Sequence, residues 1–178
     1  MSNATHQTGY LQSDAEHMAE ILKETAPTQE TLTMYGRSIP VPRLTQWFGT
    51  GSYSFSGTTR PAAKLPAALE SIRRRVSKEA GVEFNSVLLN LYRDGKDSVS
   101  WHADDEKEIG PVIASLSLGA ERTFKTRCNA TREVIKYQLG KGSLLIMPAG
   151  FQRTHQHCLP KTKRTVGVRM NLTFRTVG

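Results

Sequence analysis

Apolar residues recur along this chain with two different periods, and the period changes near residue 85. Met18, Ile21 and Leu22 recur at helical spacing behind Ser13-Asp14-Ala15-Glu16, a serine followed three residues later by glutamate that reads as a capping box. This predicts a helix from about Ser13 to Thr25, stopped by Pro27. Residues 1 to about 12 show no period and are expected to be disordered. Leu65, Leu69, Ile72 and Val76 share one helical face and predict a second helix from about Pro66 to Ala80, closed by Gly81. Arg73, Arg74 and Arg75 are expected to fan around its solvated side. Between the helices lie short extended pieces rich in aromatics, glycine, serine and proline: Tyr35-Gly36, residues 42–49 and residues 53–57.

Beyond residue 85 the pattern is strand-like. Strands are predicted at residues 86–92, 112–118, 123–127, 133–139, 143–147 and 165–174. Turn signals such as Asp94-Gly95, Leu118-Gly119 and Gly140-Lys141-Gly142 separate them. Many short strands at this spacing predict a β-sandwich or jelly roll. The fold class is therefore α+β, with helices first and a double-sheet barrel after them.

Composition narrows the function. A chain of 178 residues fits one domain, with or without a short arm. No apolar run is long enough for a membrane span, and the polar start lacks the basic and apolar regions of a secretory signal. Two cysteines, Cys128 and Cys158, without a Cys-x-x-Cys, argue against a disulfide framework or a thiolate zinc cluster and fit a reducing compartment. The expected location is cytoplasmic, or nuclear in a eukaryote. Charge is more telling. The net charge is +8, but the first 33 residues carry five acidic residues and one basic one, so the remainder is a body of +12. Such a body suits a polyanionic partner, with nucleic acid foremost.

Two clusters carry candidate chemistry. In Trp101-His102-Ala103-Asp104, residues two apart on a strand point to one face, so His102 and Asp104 reach one metal ion together. His155 and His157 are the candidates for a third ligand, since His6 and His17 lie in the acidic arm. Two histidines and a carboxylate form the facial triad of non-haem Fe(II) oxygenases. Three protein ligands and a water also suit zinc in a hydrolase. In Arg169-Met170-Asn171-Leu172-Thr173-Phe174-Arg175, Arg169, Asn171, Thr173 and Arg175 alternate strictly with apolar residues. Asn90 and Tyr92 form a second polar pair two apart in a strongly apolar strand. Guanidiniums, an amide and a phenol on a shared interior suit a small dicarboxylate, which arginine binds through paired hydrogen bonds. A zinc hydrolase has no role for the two arginines.

From about Tyr35 to Arg175 the chain resembles the AlkB family of Fe(II)- and 2-oxoglutarate-dependent dioxygenases, most of all its nucleic-acid-repair members. The resemblance rests on residues 90–95 (Asn-Leu-Tyr-Arg-Asp-Gly), His102-Ala103-Asp104-Asp105-Glu106, residues 113–120 and residues 169–175. It implies a double-stranded β-helix (jelly-roll) core with N-terminal helices and a nucleotide-recognition lid. The division it implies is an arm and helix over residues 1–33 and a dioxygenase domain over 34–178, with the lid at 34–60 and the jelly-roll core at 85–178. It implies that His102, Asp104 and His157 bind Fe(II), with His157 chosen over His155 because a leucine and a proline follow it at one residue's remove. Asn90, Tyr92, Arg169, Asn171, Thr173 and Arg175 would hold 2-oxoglutarate. Tyr53, Phe55, Asp105, Glu106 and Arg43 would contact the substrate, with Phe55 stacking on the base opposite His102. The implied reaction uses O2 to demethylate 1-methyladenine- or 3-methylcytosine-type bases in DNA or RNA, releasing formaldehyde, succinate and CO2. The implied protein is a monomer that binds alkylated nucleic acid and no membrane. Ile39, in Arg37-Ser38-Ile39-Pro40, stands where a duplex-acting relative would carry an apolar wedge, and a tight turn is the other reading. A 2-oxoglutarate oxygenase acting on a protein or small molecule is the alternative function.

Overall fold

The computed structural model describes residues 3–34, 36–50, 52–55 and 58–178, with backbone alone for residues 34, 52–55 and 58–60. In chain order the elements are β1 (Thr5–Gln7), α1 (Asp14–Glu24), β2 (Thr28–Met34), β3 (Arg37–Gly49), β4 (Ser52–Phe55), β5 (Thr58–Pro61), α2 (Ala67–Ala80), β6 (Ser86–Tyr92), β7 (Val99–His102), β8 (Ile113–Gly119), β9 (Arg122–Cys128), β10 (Val134–Leu139), β11 (Ser143–Met147), α3 (Phe151–Thr154), β12 (His155–Leu159) and β13 (Arg169–Arg175). Seven strands form a major sheet in the order β1-β11-β8-β13-β6-β3-β2. Four form a minor sheet in the order β10-β9-β12-β7, and β4 pairs with β5 in a small ribbon. Strand pairing in all three is antiparallel. The expected α+β jelly-roll-like core with flanking helices is what the chain forms.

Alternation within the major sheet sorts its side chains into two environments. Met170, Leu172 and Phe174 of β13, Val87 and Leu89 of β6, and Ala114, Leu116 and Leu118 of β8 pack with Ile21 of α1 and Leu69, Ile72 and Val76 of α2. That is the main core, between helices and sheet. The other face looks toward the minor sheet, where Tyr92, Ile113, Phe124, Leu145, Met147 and Leu159 make a second cluster. The polar residues of β13 also point there. All seven residues of β13 are buried, so its polar face is interior and not solvated. No helix among the described residues is long and apolar enough to cross a membrane.

Several expectations are corrected. The start of the chain is ordered: β1 pairs with β11, and Leu11 is buried with its N–H bonded to the carbonyl of Gly142. The capping box does not form. Ser13 adopts a left-handed conformation (φ 53°) without a side-chain cap bond, and Asp14 instead accepts a hydrogen bond from the Gly119 N–H. Leu22 of the expected apolar stripe is exposed. Arg73 is no solvated residue, because it pairs with Glu70 and Glu83 and donates to the Phe84 carbonyl. The extended piece expected at 42–49 is part of one thirteen-residue strand that also takes in residues 37–40 in place of a tight turn, and its C-terminal half pairs with β6 inside the major sheet. Ile39 lies in that strand and is 45% exposed. Strands β2, β5 and β12 had no counterpart in the sequence pattern, and residues 165–168 are not strand.

Candidate metal centre and its pocket

A metal-binding set is assembled on the minor sheet. His102, the last residue of β7, is the cross-strand partner of His157 on β12. Residues paired across strands hold their side chains side by side, and the two imidazole centroids are 4.2 Å apart. Asp104 lies beyond the end of β7, so the expectation that it shares a strand with His102 does not hold. Its position is set by the loop, whose Asp104 N–H donates to Gln152 Oε1 (3.1 Å). Asp104 Oδ1 is 3.6 Å from His102 Nε2, and Oδ2 is 3.8 Å from His157 Nε2. One ligand atom from each of the three residues falls within 4.8 Å of the others.

The electrostatics suit a divalent cation. Burial pushes the His157 imidazole down to about 3, outweighing the pull of Asp104, so it is neutral at physiological pH. Burial alone would raise the Asp104 carboxyl. The Arg175 guanidinium and the two imidazoles outweigh it and hold Asp104 below the ordinary carboxylate range. His102 Nδ1 lies 2.8 Å from the Ser100 carbonyl oxygen, to which an Nδ1–H donates, and this tautomer leaves the Nε2 lone pair facing the centre. Phe124 stacks on His157 (5.4 Å, 28°) and fixes its ring plane. Two imidazole nitrogens and one carboxylate are a donor set that fits Fe(II).

The facing wall is the major sheet. Asn90, Tyr92, Arg169, Asn171, Thr173 and Arg175 line the same pocket as the three candidate ligands. Their hydrogen bonds hold them in place. Asn171 Nδ2 donates to Ser115 Oγ (2.7 Å), Thr173 Oγ1 donates to Asn171 Oδ1 (2.9 Å), and Arg169 Nη2 donates to Ser117 Oγ (2.8 Å). Arg175 Nη2 donates to Asp104 Oδ2 (2.8 Å), which ties the two walls together. Arg169 is wholly buried beneath the Tyr92 ring (5.2 Å), and its Nε has no hydrogen-bond partner among the described residues. A buried guanidinium with an unused donor in the pocket wall is chemistry that suits an anion.

A family model described as the 2OG-Fe(II) oxygenase superfamily matches residues 4–175. Curated relatives include the alpha-ketoglutarate-dependent dioxygenase alkB homolog 3 of Rattus norvegicus, 44% identical over 78% of this chain and 51% of its own length. Another is the DNA oxidative demethylase ALKBH2 of Bos taurus, 40% identical over 81% of this chain and 56% of its own. This chain belongs to the AlkB family of 2OG-Fe(II) oxygenases. It spans about half the length of the curated relatives it matches. A solved structure titled "The structure of OsALKBH1" covers 99% of this AlkB-family chain with a TM-score of 0.68 at 18% identity, and so shares its fold.

The remaining site expectations are placed as follows. Arg43 lines the pocket, with Nε on Asn90 Oδ1 (3.0 Å) and Nη1 on the Ser98 carbonyl (3.4 Å). Asp105 is exposed, and neither it nor Glu106 lines the pocket. The side chains of Tyr53 and Phe55 lie outside the described residues. His155 is buried apart from the ligands, stacked on Phe151 at 4.3 Å. Trp101 faces elsewhere, with its ring under the Arg127 guanidinium at 4.2 Å. Sequence reasoning missed Gln152, Phe124 and Glu30. Phe124 was visible in the alternation of its strand, whereas nothing local marks Gln152 or Glu30.

Proposed function

We propose that this chain oxidatively demethylates N-alkylated bases of the 1-methyladenine and 3-methylcytosine type in DNA or RNA, with Fe(II), 2-oxoglutarate and O2. The observation that carries the reading is one pocket with a His102/Asp104/His157 donor set on one wall and buried Arg169 and Arg175 on the other. When bound, Fe(II) with 2-oxoglutarate and O2 supplies the oxidation that hydroxylates the N-methyl carbon, leaving succinate, CO2 and, after collapse of the hydroxymethyl group, formaldehyde. His102, Asp104 and His157 would hold the metal from one face and leave the other open. Arg169, with Asn90, Tyr92, Asn171, Thr173 and Arg175, would bind and orient the dicarboxylate. Burial of this wall excludes water and strengthens each charged contact. Arg43 and the segment carrying Tyr53 and Phe55 belong to the substrate side, where an aromatic face would contribute ~1–3 kcal/mol by stacking on a base. Asp105 and Glu106 are on the outer rim in this reading. A base inside a duplex cannot reach so enclosed a centre, so it is unstacked or single-stranded when it reacts. The +12 body supplies sequence-independent attraction for phosphates. The names of the relatives, dioxygenase and DNA oxidative demethylase, support the same substrate class.

The test is a single-stranded oligonucleotide carrying one 1-methyladenine or 3-methylcytosine, incubated with protein, Fe(II), 2-oxoglutarate and ascorbate and followed by mass spectrometry. Methyl loss that needs 2-oxoglutarate and disappears in His157→Ala is the expected result. Steady succinate formation without methyl loss would refute the base-demethylase reading while keeping an oxygenase. Neither product would refute both.

A further inference from the structure

Each candidate ligand is held by its own outer partner. The Ser100 carbonyl orients His102, and the Phe124 ring stacks on His157. Asp104 is gripped twice. Arg175 Nη2 donates to its carboxylate at Oδ2 (2.8 Å), and its backbone N–H donates to Gln152 Oε1 (3.1 Å). The second grip matters because Asp104 lies past the last ladder pair of β7, His102 with His157, where the sheet no longer fixes the chain.

Gln152 is 8% exposed and sits within α3, the short turn between Gly150 (φ 84°) and β12. That turn is braced on several sides. The Phe151 N–H donates to the Pro148 carbonyl (3.0 Å), Thr154 Oγ1 to the Gly150 carbonyl (3.1 Å), and the Asn129 N–H to the Thr154 carbonyl (2.8 Å). Helix α3 runs directly into β12, so the side chain that grips Asp104 is tied through the backbone to the strand that carries His157. The orientation of the amide is informative as well. A backbone N–H can only donate, so the Gln152 oxygen faces Asp104, and Nε2 is left to the Met147 thioether (3.4 Å). A thioether is a weak acceptor. A buried amide whose donor meets only sulfur is better explained by what its oxygen holds.

We propose that Gln152 is a positioning residue for the metal centre. It locks the Asp104 loop to the His157 strand, so that carboxylate and imidazole stand together before a metal arrives. This rests on the reading of His102, Asp104 and His157 as the metal ligands, and gives a role to a residue outside them. Without the grip, the metal itself would have to order the loop, and affinity would fall.

Gln152→Met keeps the length and removes the acceptor. Met147→Leu removes the sulfur at similar volume and leaves the Asp104 bond intact. Co(II) would be titrated into the full chain, metal-free, and followed by its ligand-field absorption, which reports both Kd and coordination. Melts of the same metal-free proteins report folding. In Gln152→Met the Co(II) Kd is expected to rise about tenfold or more, the usual effect of losing an outer partner of a ligand, with a changed ligand-field band. Met147→Leu is expected to stay within about twofold of wild type. A Gln152→Met protein that melts lower but keeps the wild-type Kd and spectrum would overturn the proposal and leave Gln152 a packing residue. Equal loss of affinity in the two variants would overturn it as well, because Met147→Leu retains the bond to Asp104. If Gln152→Met does not fold, Gln152→Asn, whose acceptor falls one methylene short, carries the test by the same criterion. Wild-type protein that binds no Co(II) would sink the metal-site reading itself, whereas wild-type binding that the Gln152 variant leaves unaltered sinks this proposal alone.

Discussion

Replacing Arg169 by methionine is expected to make the ligand-free protein more stable and to abolish its response to 2-oxoglutarate. Arg169 is 2% exposed, and the groups that act on it, Tyr92, Arg122 and Ser117, include no carboxylate. Burial pushes its guanidinium down to about 10. At 1.36 kcal/mol per pH unit, that displacement puts the cost of the buried charge at ~3 kcal/mol. Methionine is of comparable length and brings no charge, but it leaves the Ser117 hydroxyl without its partner, a loss of ~1–2 kcal/mol. The balance is a gain of ~1–2 kcal/mol, in line with buried charges replaced by apolar residues elsewhere. For a chain of this size it corresponds to a rise in Tm of about 2–8 °C. Saturating 2-oxoglutarate with a redox-inert divalent metal should raise the wild-type Tm, since a ligand at 100 times its Kd adds ~2.7 kcal/mol. The assay is a thermal melt of both proteins with and without 2-oxoglutarate. An Arg169→Met protein that melts below wild type, or that keeps the 2-oxoglutarate shift, would refute the reasoning that Arg169 is kept for its ligand at the expense of stability.

Other outcomes follow from the same contacts. Asp104→Ala should abolish Co(II) binding, seen by absorption titration, and cost ~3–5 kcal/mol in denaturant unfolding, because the buried Arg175 loses its carboxylate. His102→Ala should abolish Co(II) binding with far less loss of stability, since its side chain is 30% exposed. Gly142→Ala should cost ~3 kcal/mol or more and expose the N-terminal segment to limited proteolysis. The residue has φ +77°, and a Cβ would fall 1.9 Å from the Leu11 carbonyl oxygen. Arg73 and Arg74 hold Glu70 down to about 2, below its unfolded value, so this contact stabilises the fold above pH ~4.5 and is lost as the pH falls toward 2. Glu70→Gln should therefore flatten the stability loss over that acid range by ~1 kcal/mol in urea melts, and leave no slope there that is specific to Glu70.

The elements that the sequence displayed most clearly are those whose pattern is settled by one packed face. Strands β6 and β11 begin and end where the pattern puts them, and α2 ends at Gly81 in the left-handed conformation a helix stop requires. Strand β12 was invisible for a physical reason. His-Gln-His-Cys-Leu has no apolar alternation, and it is a strand because it pairs with β7 on one side and β9 on the other. The polar face of β13 was legible as a face, and the structure shows that it points inward. His102, Asp104 and His157 were singled out together by motif resemblance, since residues alone left His155 as an equal candidate. What places Asp104 is a hydrogen bond with Gln152, forty-eight residues away, and no local pattern encodes such a contact. Glu30 was counted among the acidic residues of an arm. Only the bulge opposite it, a property of the pairing of two strands, turns it into the pocket.

The candidate metal ligands belong to the minor sheet and its adjoining loop, and the wall that carries Arg169 and Arg175 belongs to the major sheet. Any occupant that touches both walls is a strut between two layers that otherwise meet across a partly polar seam. Its arrival should slow the breathing of the sandwich as a whole, so that backbone amides of β12 and β13 gain hydrogen-exchange protection together rather than one sheet at a time. The pocket is thus also the place where the mechanical stiffness of the two layers is set.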